Sequence, residues 1–262
     1  MNRYEHWLRV GLDAAEEAAA YARHEWRAKH VIHEKGYRDI VTDTDLAMEA
    51  LILDRLHAAF PDHAVTSEEA GVEASDAHVR WLIDPLDGTS NFSRNNPNFS
   101  TAIAAIEDGV PVIGIIYDAL RAQAFTAYAG GGAYLDGEAI HVSGQTEVAE
   151  AIVSLDAPRE PHLRQQMLTY IERFLARGRT IRALGSAALN MAYVATGWVD
   201  GYFSAHMKPW DQTAAVLLVR EAGGAVGTVS GKAWTPYSPD PLLAATPTLL
   251  EAIRLIIGGE SP

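Results

Sequence analysis

Two aspartates separated by two residues follow an apolar segment in WLIDPLDGTSNF, residues 81–92. The apolar segment predicts a buried strand, and the proline after Asp84 favours extended backbone there. Asp87 and Gly88 form a turn signal. Asp84, Asp87 and the Leu86 carbonyl are therefore expected at the carboxyl end of a strand, which is the edge where open sheets bind ligands.

Carboxylates held this close repel each other unless a cation lies between them. Ligands that are all oxygen favour Mg²⁺ or Mn²⁺ over zinc. Gly88 would let a phosphate approach backbone N–H groups, which attract anions at the start of a helix. The alternative is an ordinary surface turn with capping residues, because such turns are common in loops.

Three further acidic groups strengthen the metal hypothesis. Glu68 and Glu69 follow a short apolar segment, Asp43 and Asp45 begin a predicted helix, and Asp211 begins another. Each group also has a structural interpretation. The aspartates can complement a helix dipole or cap a helix, and the glutamates can simply be solvated.

The hydrophobic pattern divides the chain into two parts. Helices are predicted over 2–29 and 43–59, short strands over 64–66 and 79–83, and an antiparallel meander over about 99–143. From about residue 149, strands and helices alternate. These later elements are strands over 152–157, 180–185, 200–206 and 241–246, and helices over 160–177, 186–197, 211–224 and 247–257.

The domain prediction follows from this change of pattern. Residues 1–145 are interpreted as an α+β, metal-binding part and residues 146–262 as an α/β, substrate-lining part. The two parts are expected to form one compact unit.

Composition narrows the function classes. The 262 residues carry a formal charge of −13 and no cysteine, which excludes disulfide scaffolds, cysteine nucleophiles and thiolate metal sites. No apolar run reaches the about 20 residues of a membrane span, and the N-terminus lacks the layout of a signal peptide, so a cytoplasmic location is expected. The negative charge and scattered lysines argue against nucleic acid. A phosphate substrate would need divalent cations to reverse the local charge.

Five segments, in this order along the chain, resemble the inositol monophosphatase family. They are DIVTDTDLAMEALI (39–52), SEEAG (67–71), WLIDPLDGTSNF (81–92), IRALGSAALNMAYVATGWVDGYF (181–203) and KPWDQTAAVLLVREAGG (208–224). The resemblance implies the layered αβαβα sugar-phosphatase fold. An antiparallel sheet is expected in the first part and a mixed sheet in the second. It also implies a homodimer.

The resemblance further implies two or three Mg²⁺ ions, with Mn²⁺ as a substitute. The first ion would be held by Glu68, Asp84 and the Leu86 carbonyl. The second would be held by Asp84, Asp87 and Asp211, with Asp84 bridging the two. Glu68 would also contact a third, weaker ion.

Catalytic and substrate residues are implied in the same way. Thr89 and Asp45 would polarise the attacking water, and Glu68 is counted with them as catalytic; Glu69 would be a supporting neighbour rather than a ligand. The residues expected to line the substrate are Gly88, Thr89, Gly185, Ser186, Ala187 and Ser204.

Two positions depart from the family pattern. Lys35 corresponds to the usual lysine, but its spacing to Asp39 is one residue short, and a solvated loop lysine is the alternative. Ser204 stands where inositol-specific members usually carry a glutamate. His206 and Lys208 lie nearby and could contact a different leaving group.

The leading functional prediction is Mg²⁺-dependent, lithium-sensitive hydrolysis of inositol 1-phosphate or a related polyol or sugar phosphate. Histidinol phosphate and fructose 1,6-bisphosphate are alternative substrates. A nucleotide 3′-phosphatase ranks lowest, because residues 90–92 read Ser-Asn-Phe instead of Lys-Glu-Phe. A different class is a non-catalytic regulator that retains the fold, with a transcription-related partner, and another is a plain magnesium- or calcium-binding protein. His30 and His33 are interpreted as structural or solvent-exposed.

Overall fold

The computed structural model describes residues 2–73 and 75–260, which form seven α-helices, one short 3₁₀ helix (Val148–Glu150) and fifteen strands. The elements of the first part are α1 (Arg3–Glu25), β1 (Ile32–Gly36), β2 (Asp39–Thr42), α2 (Asp43–Ala59), β3 (Ala64–Ser67), β4 (Gly71–Val72), β5 (Val79–Asp87), α3 (Thr89–Phe92), β6 (Ser100–Glu107), β7 (Val110–Asp118), β8 (Gln123–Tyr128), β9 (Gly132–Leu135) and β10 (Glu138–Ala139). Those of the second part are β11 (Ile152–Leu155), α4 (Pro161–Leu175), β12 (Thr180–Arg182), α5 (Ala187–Ala195), β13 (Gly201–Ser204), α6 (Pro209–Glu221), β14 (Ala225–Thr228), β15 (Leu242–Ala245) and α7 (Pro247–Gly258).

The first large sheet has eight strands in the order β10-β9-β8-β7-β6-β5-β3-β4. All neighbouring pairs are antiparallel except β3 and β5, which are parallel. Strand β5 is buried on both faces. Trp81 and Ile83 enter one hydrophobic core and Leu82 enters the other. This double burial explains why the strand is apolar at successive positions.

The second sheet has five strands in the order β12-β11-β13-β15-β14. Strand β11 is parallel to β12 and β13, whereas β15 is antiparallel to β13 and β14. Helices α1 and α2 cover the outer face of the eight-stranded sheet, α5 and α6 pack between the sheets, and α4 and α7 cover the outer face of the smaller sheet. The predicted αβαβα layers and mixed second sheet are confirmed.

The central helix α6 lies directly against strand β7. Gly114 makes this approach possible, because a Cβ atom there would lie 2.5 Å from the Ala214 carbonyl oxygen. Side chains of α5, α6 and both sheets form one continuous core in this layer.

Several elements differ from the sequence prediction. Helix α1 ends at Glu25 rather than at residue 29, and residues 32–42 form an unpredicted hairpin of β1 and β2. Strand β1 is exposed at all five residues, so it lacks the alternating pattern that would reveal it. Strand β12 ends at Arg182, and residues 183–186 form a loop instead.

No helix within residues 2–73 and 75–260 has both the length and the hydropathy needed to cross a bilayer.

Candidate active site

A cleft of about 750 Å³ opens between the ends of β3 and β5 and the beginnings of α3, α5 and α6. Most of the residues singled out in the sequence line it. They are Lys35, Glu68, Asp84, Leu86, Asp87, Gly88, Thr89, Gly185, Ala187, Ser204 and Asp211. Asp45, Glu69 and Ser186 contact these residues from behind the cleft wall.

The carboxyl end of β5 presents Asp84 and Asp87 to the cleft. The pairing of β5 with β6 is irregular between these two residues, and the Leu86 N–H donates to Asp84 Oδ1 at 3.1 Å. Gly88 follows with φ of +97°, and a Cβ there would lie 3.0 Å from the Asn98 carbonyl oxygen. The turn therefore requires glycine, and it exposes the backbone to the cleft.

Thr89 and Asp45 are in contact although they are distant in sequence. Thr89 Oγ1 lies 2.9 Å from Asp45 Oδ1 and 3.1 Å from the Leu86 carbonyl oxygen. The other carboxylate oxygen of Asp45 accepts from the Thr42 N–H at 2.9 Å, so Asp45 also caps helix α2. Burial raises the pKa of Asp45, and hydrogen bonds from Thr42 and Thr89 oppose that rise.

Asp87 is bound to the beginning of helix α5. It accepts hydrogen bonds from the Ala188 N–H at 2.9 Å, the Ala187 N–H at 3.2 Å and the Ser186 hydroxyl. Burial raises the pKa of Asp87 to about 7; the Ser186 hydrogen bond opposes the rise and the charge of Asp156 adds to it. The predicted substrate loop at 185–187 therefore also positions a predicted metal ligand.

Lys35 bridges the two glutamates that follow β3. Its Nζ lies 2.5 Å from Glu69 Oε1 and 3.1 Å from Glu68 Oε1. The pairing of β1 with β2 is irregular between Glu34 and Gly36, which reorients the backbone locally. The structure thus brings Lys35 to the glutamates despite its shortened spacing. Burial raises the pKa of Glu69 to about 7, and Lys35 opposes this rise.

Glu49 in α2 anchors the turn that carries Glu68, and the sequence did not single it out. It is buried and accepts hydrogen bonds from the N–H groups of Glu69 and Ala70, at 3.1 and 3.0 Å, and from the Ser67 hydroxyl. Glu49 lies four residues after Asp45 and so on the same face of α2, and that spacing was the available signal.

Asp211 and Ser204 line the side of the cleft that α6 and the five-stranded sheet form. Asp211 Oδ2 accepts from the Lys208 N–H at 3.0 Å, so Asp211 caps α6 while facing the cleft. The Ser204 hydroxyl donates to the His206 carbonyl at 3.0 Å and closes a local turn. Burial raises the pKa of Asp211 to about 8, and the charge of Glu68 adds to the rise.

Asp156 is a further cleft residue that the sequence analysis missed. It accepts hydrogen bonds from Asn190 Nδ2 at 2.8 Å, the Gly185 N–H at 3.1 Å and the Tyr202 hydroxyl at 3.3 Å. It therefore fixes the loop at Gly185. Asp156 directly follows β11, whose parallel neighbours end at the same edge, and that position was the available signal.

The two histidines interpreted as structural have separate contacts. The His30 ring packs 4.4 Å from the Phe92 ring, and His33 Nε2 lies 2.9 Å from Asp43 Oδ1. Asp43 is thus an exposed hydrogen-bond partner of His33 and lies outside the cleft.

The donor chemistry of the cleft suits a hard divalent cation. Burial raises the pKa of Asp84 well above its usual range, and the negative charges of Glu68, Asp87 and Asp211 raise it further. Cations offset such mutual repulsion, and the donors are all oxygen. Across residues 2–73 and 75–260 no three acidic or histidine side chains converge into a preassembled metal site. Glu68 is paired with Lys35, so an ion would have to compete with that ammonium group.

Comparison with known proteins gives a consistent pattern. The model of the inositol monophosphatase family matches residues 3–257. Nus factor SuhB of Haemophilus influenzae is 34% identical over 262 residues, covering 97% of each chain. The solved inositol monophosphatase of Anabaena (Nostoc) superposes with a TM-score of 0.89 at 29% identity, covering 100% of this chain and 98% of the other. The IMPase of Thermotoga maritima gives 0.88 at 31% identity, covering 99% and 98%.

Proposed function

This chain belongs to the inositol monophosphatase family, and we propose that it hydrolyses a small phosphomonoester with Mg²⁺ as its cofactor. When bound, the ions would activate water and neutralise the charge of the phosphate. Two or three Mg²⁺, or Mn²⁺ in their place, would be held by Glu68, Asp84, the Leu86 carbonyl, Asp87 and Asp211.

The observation that carries this proposal is the hydrogen bond between Thr89 and Asp45, next to the carboxylates that line the cleft. When the Thr89 hydroxyl donates a hydrogen bond to Asp45 at 2.9 Å, its oxygen keeps lone pairs that can accept a hydrogen bond from water. Asp45 thereby orients the hydroxyl, and Thr89 orients the attacking water. A plain cation-binding protein needs no such pair.

The substrate would be placed by groups on both sides of the cleft. We propose that backbone N–H groups of Gly88 and Thr89 bind the phosphate, and that Gly185, Ala187 and Ser204 contact the remainder. Holding the phosphate in line with the water supplies much of the rate in phosphoryl transfer. Ser186 contributes indirectly, through its hydrogen bond to Asp87.

The substrate class we propose is a polyol or sugar phosphate. Inositol 1-phosphate is the leading substrate. Histidinol phosphate and fructose 1,6-bisphosphate are alternatives, because Ser204 stands where inositol-specific members carry a glutamate that contacts the inositol hydroxyls. Lithium inhibition, a homodimer and a cytoplasmic location remain predictions.

A non-catalytic regulatory role is the second candidate, and a comparison favours it. The relative from Haemophilus influenzae bears the name Nus factor SuhB, which describes a factor rather than a phosphatase. A transcription-related partner would fit that name, and the predicted lack of a nucleic-acid partner then needs a direct test. The Thr89–Asp45 pair supports catalysis, since a docking surface does not require a buried, oriented hydroxyl.

The test is phosphate release with and without Mg²⁺ from a panel of inositol 1-phosphate, fructose 1,6-bisphosphate, histidinol phosphate, adenosine 3′,5′-bisphosphate and glycerol 2-phosphate. Asp84→Asn should lower Mg²⁺-dependent turnover by at least ~100-fold, the scale of removing one electrostatic element from an active site. Asp54→Asn, on the exposed side of α2, is the matched control and should retain the wild-type rate.

Circular dichroism should show that both variants are folded. Metal-independent release, or an active Asp84→Asn protein, would contradict the proposed site. A folded protein that releases no phosphate from any substrate would favour the regulatory role.

A further inference from the structure

Helix α2 carries two carboxylates on its buried face. Asp45 and Glu49 are only 1% and 6% exposed, and they lie four residues apart. Side chains at this spacing are neighbours on one side of a helix. Asp45 accepts a hydrogen bond from Thr89, whereas Glu49 takes no part in the proposed chemistry.

The hydrogen bonds to Glu49 come from the loop between β3 and β4. Its Oε1 accepts from the N–H groups of Glu69 and Ala70, at 3.1 and 3.0 Å, and from the Ser67 hydroxyl. Ser67 pairs with Gly71 across this hairpin, so the loop itself consists of residues 68–70. Glu49 therefore satisfies two of the three backbone donors in the loop.

The backbone at Glu68 is thereby held from two sides. The Glu68 N–H donates to the Ile83 carbonyl of β5 at 3.1 Å, and Glu49 binds the two N–H groups that follow. The Glu68 side chain lines the cleft, where its Oε1 lies 3.1 Å from Lys35 Nζ. The direction in which the Glu68 carboxylate points therefore depends on where Glu49 holds the loop.

Folding alone does not account for a carboxylate at position 49. The donors to Glu49 are neutral, and its charge adds to those of Glu68 and Glu69 next to it. Met48 and Ile52 on the same buried face are apolar. Burying a carboxylate without a cationic partner costs more than apolar packing would. This cost indicates that the carboxylate is kept in order to fix the loop.

We propose that Glu49 is a positioning residue for the metal site. It fixes the 68–70 loop so that the Glu68 carboxylate faces the cleft, while Asp45 on the same helix face fixes Thr89. One turn of α2 then sets the spacing between a metal ligand and the residue that orients the attacking water. The inference rests on the proposed function and adds a residue that lies outside the cleft lining.

Two variants separate the hydrogen bonds of Glu49 from its volume. Glu49→Gln keeps an acceptor oxygen at the same reach, and Glu49→Met fills similar space without a strong acceptor. Asp54→Met, at an exposed position of the same helix, is the matched control. Calorimetric titration of the metal-free proteins with Mn²⁺ should show at least ~10-fold weaker binding to Glu49→Met, the scale for a residue that orients a metal ligand. Glu49→Gln and the control should bind Mn²⁺ nearly as tightly as the wild type.

Phosphate release gives a second readout. The half-saturating Mg²⁺ concentration should rise by ~10-fold or more in Glu49→Met. Saturating Mg²⁺ should restore most of the wild-type kcat, because the Thr89–Asp45 pair is intact, and the KM for the phosphate ester should change little. A purely structural role would instead lower the midpoint of urea unfolding and the active fraction, and leave the half-saturating Mg²⁺ concentration unchanged.

The two readouts separate this inference from the proposed function. If no phosphate is released but Mn²⁺ binds, and binds more weakly to Glu49→Met alone, the inference holds without the phosphatase activity. If Glu49→Met does not fold, Glu49→Asp replaces it, because a side chain one methylene shorter withdraws the acceptor from the loop, and the same loss of affinity is expected. Wild-type Mn²⁺ affinity in that variant, or a Glu49→Gln protein that is equally impaired, would overturn the inference. A wild type that binds no Mn²⁺ would overturn it together with the metal site.

Discussion

The Thr89 hydroxyl has one proton and two possible acceptors for it, Asp45 Oδ1 and the Leu86 carbonyl oxygen, while its lone pairs face the proposed water. Replacing it by valine keeps the volume but removes the hydroxyl. We expect Thr89→Val to lower kcat by at least ~100-fold, the usual scale for a group that assists proton transfer. Thr89→Ser should retain most of the activity, because serine keeps the oxygen.

Melting curves provide the control for this pair of variants. Asp45 keeps its hydrogen bonds from Thr42, so Thr89→Val should lose only about 1–3 kcal/mol of folding free energy from the unsatisfied oxygen. A folded valine variant as active as the serine variant would remove Thr89 from the mechanism.

His63 provides a pH test that is remote from the cleft. Its Nδ1 accepts from the Trp81 indole N–H at 3.1 Å, and its ring stacks 4.8 Å from the Phe60 ring. Burial lowers the pKa of His63. The unfolded chain therefore binds a proton more readily, and stability falls as the pH drops below about 6.5, the unfolded value.

His63→Asn keeps a hydrogen-bond acceptor but does not titrate. Urea unfolding at about pH 7.5 and about pH 5 should show a larger loss of unfolding free energy in the wild type than in His63→Asn. Equal losses would mean that His63 is not responsible for any of the acid sensitivity.

Residues that are close in sequence were the ones that sequence reasoning could group. Asp84, Asp87 and Thr89 lie within one short turn, so their proximity follows from backbone geometry alone. The contact of Thr89 with Asp45 spans 44 positions, and the family resemblance, not the spacing, indicated it. The attachment of Asp87 to helix α5 depends on how two sheets pack, which no local pattern encodes.

Elements with strong signals were predicted well, and exposed or partly buried strands were not. Helix α2 begins at Asp43 and ends at Ala59, as predicted, because its start is capped and Pro61 follows its end. The β1–β2 hairpin was missed since β1 is fully exposed, and β14 was missed because three of its four residues are only partly buried. Both are held by tertiary pairing, which overrides weak local preference.

The close contact between strand β7 and helix α6 gives a prediction about how secondary-structure elements pack. Gly114→Ala would place a methyl group 2.5 Å from the Ala214 carbonyl oxygen, and both elements are rigid backbone. We expect a loss of about 1–3 kcal/mol in unfolding free energy from overpacking. Gly144→Ala meets nothing within 4 Å and should change stability by less than about 0.5 kcal/mol.

Urea unfolding of the two glycine variants measures both values. Equal midpoints would show that β7 and α6 can separate slightly at no cost, and that the close approach does not fix the central helix.

For the whole molecule, the predicted boundary near residue 145 can be tested by calorimetry. The core between the sheets combines Leu82 and Phe125 with Tyr202 and Leu242, from opposite sides of that boundary. We therefore expect one cooperative transition, with a calorimetric enthalpy close to the van't Hoff enthalpy. Two resolved transitions would instead indicate two independently stable domains.

The strand order has a consequence for how copies of the protein meet in solution. The nine-residue strands β5 and β7 are interior, whereas the eight-stranded sheet ends in β4 and β10, which have two residues each. Edges this short offer few unpaired backbone groups to another chain. This sheet is thereby protected against edge-to-edge aggregation, and self-association through it has to use side-chain surfaces instead of strand addition.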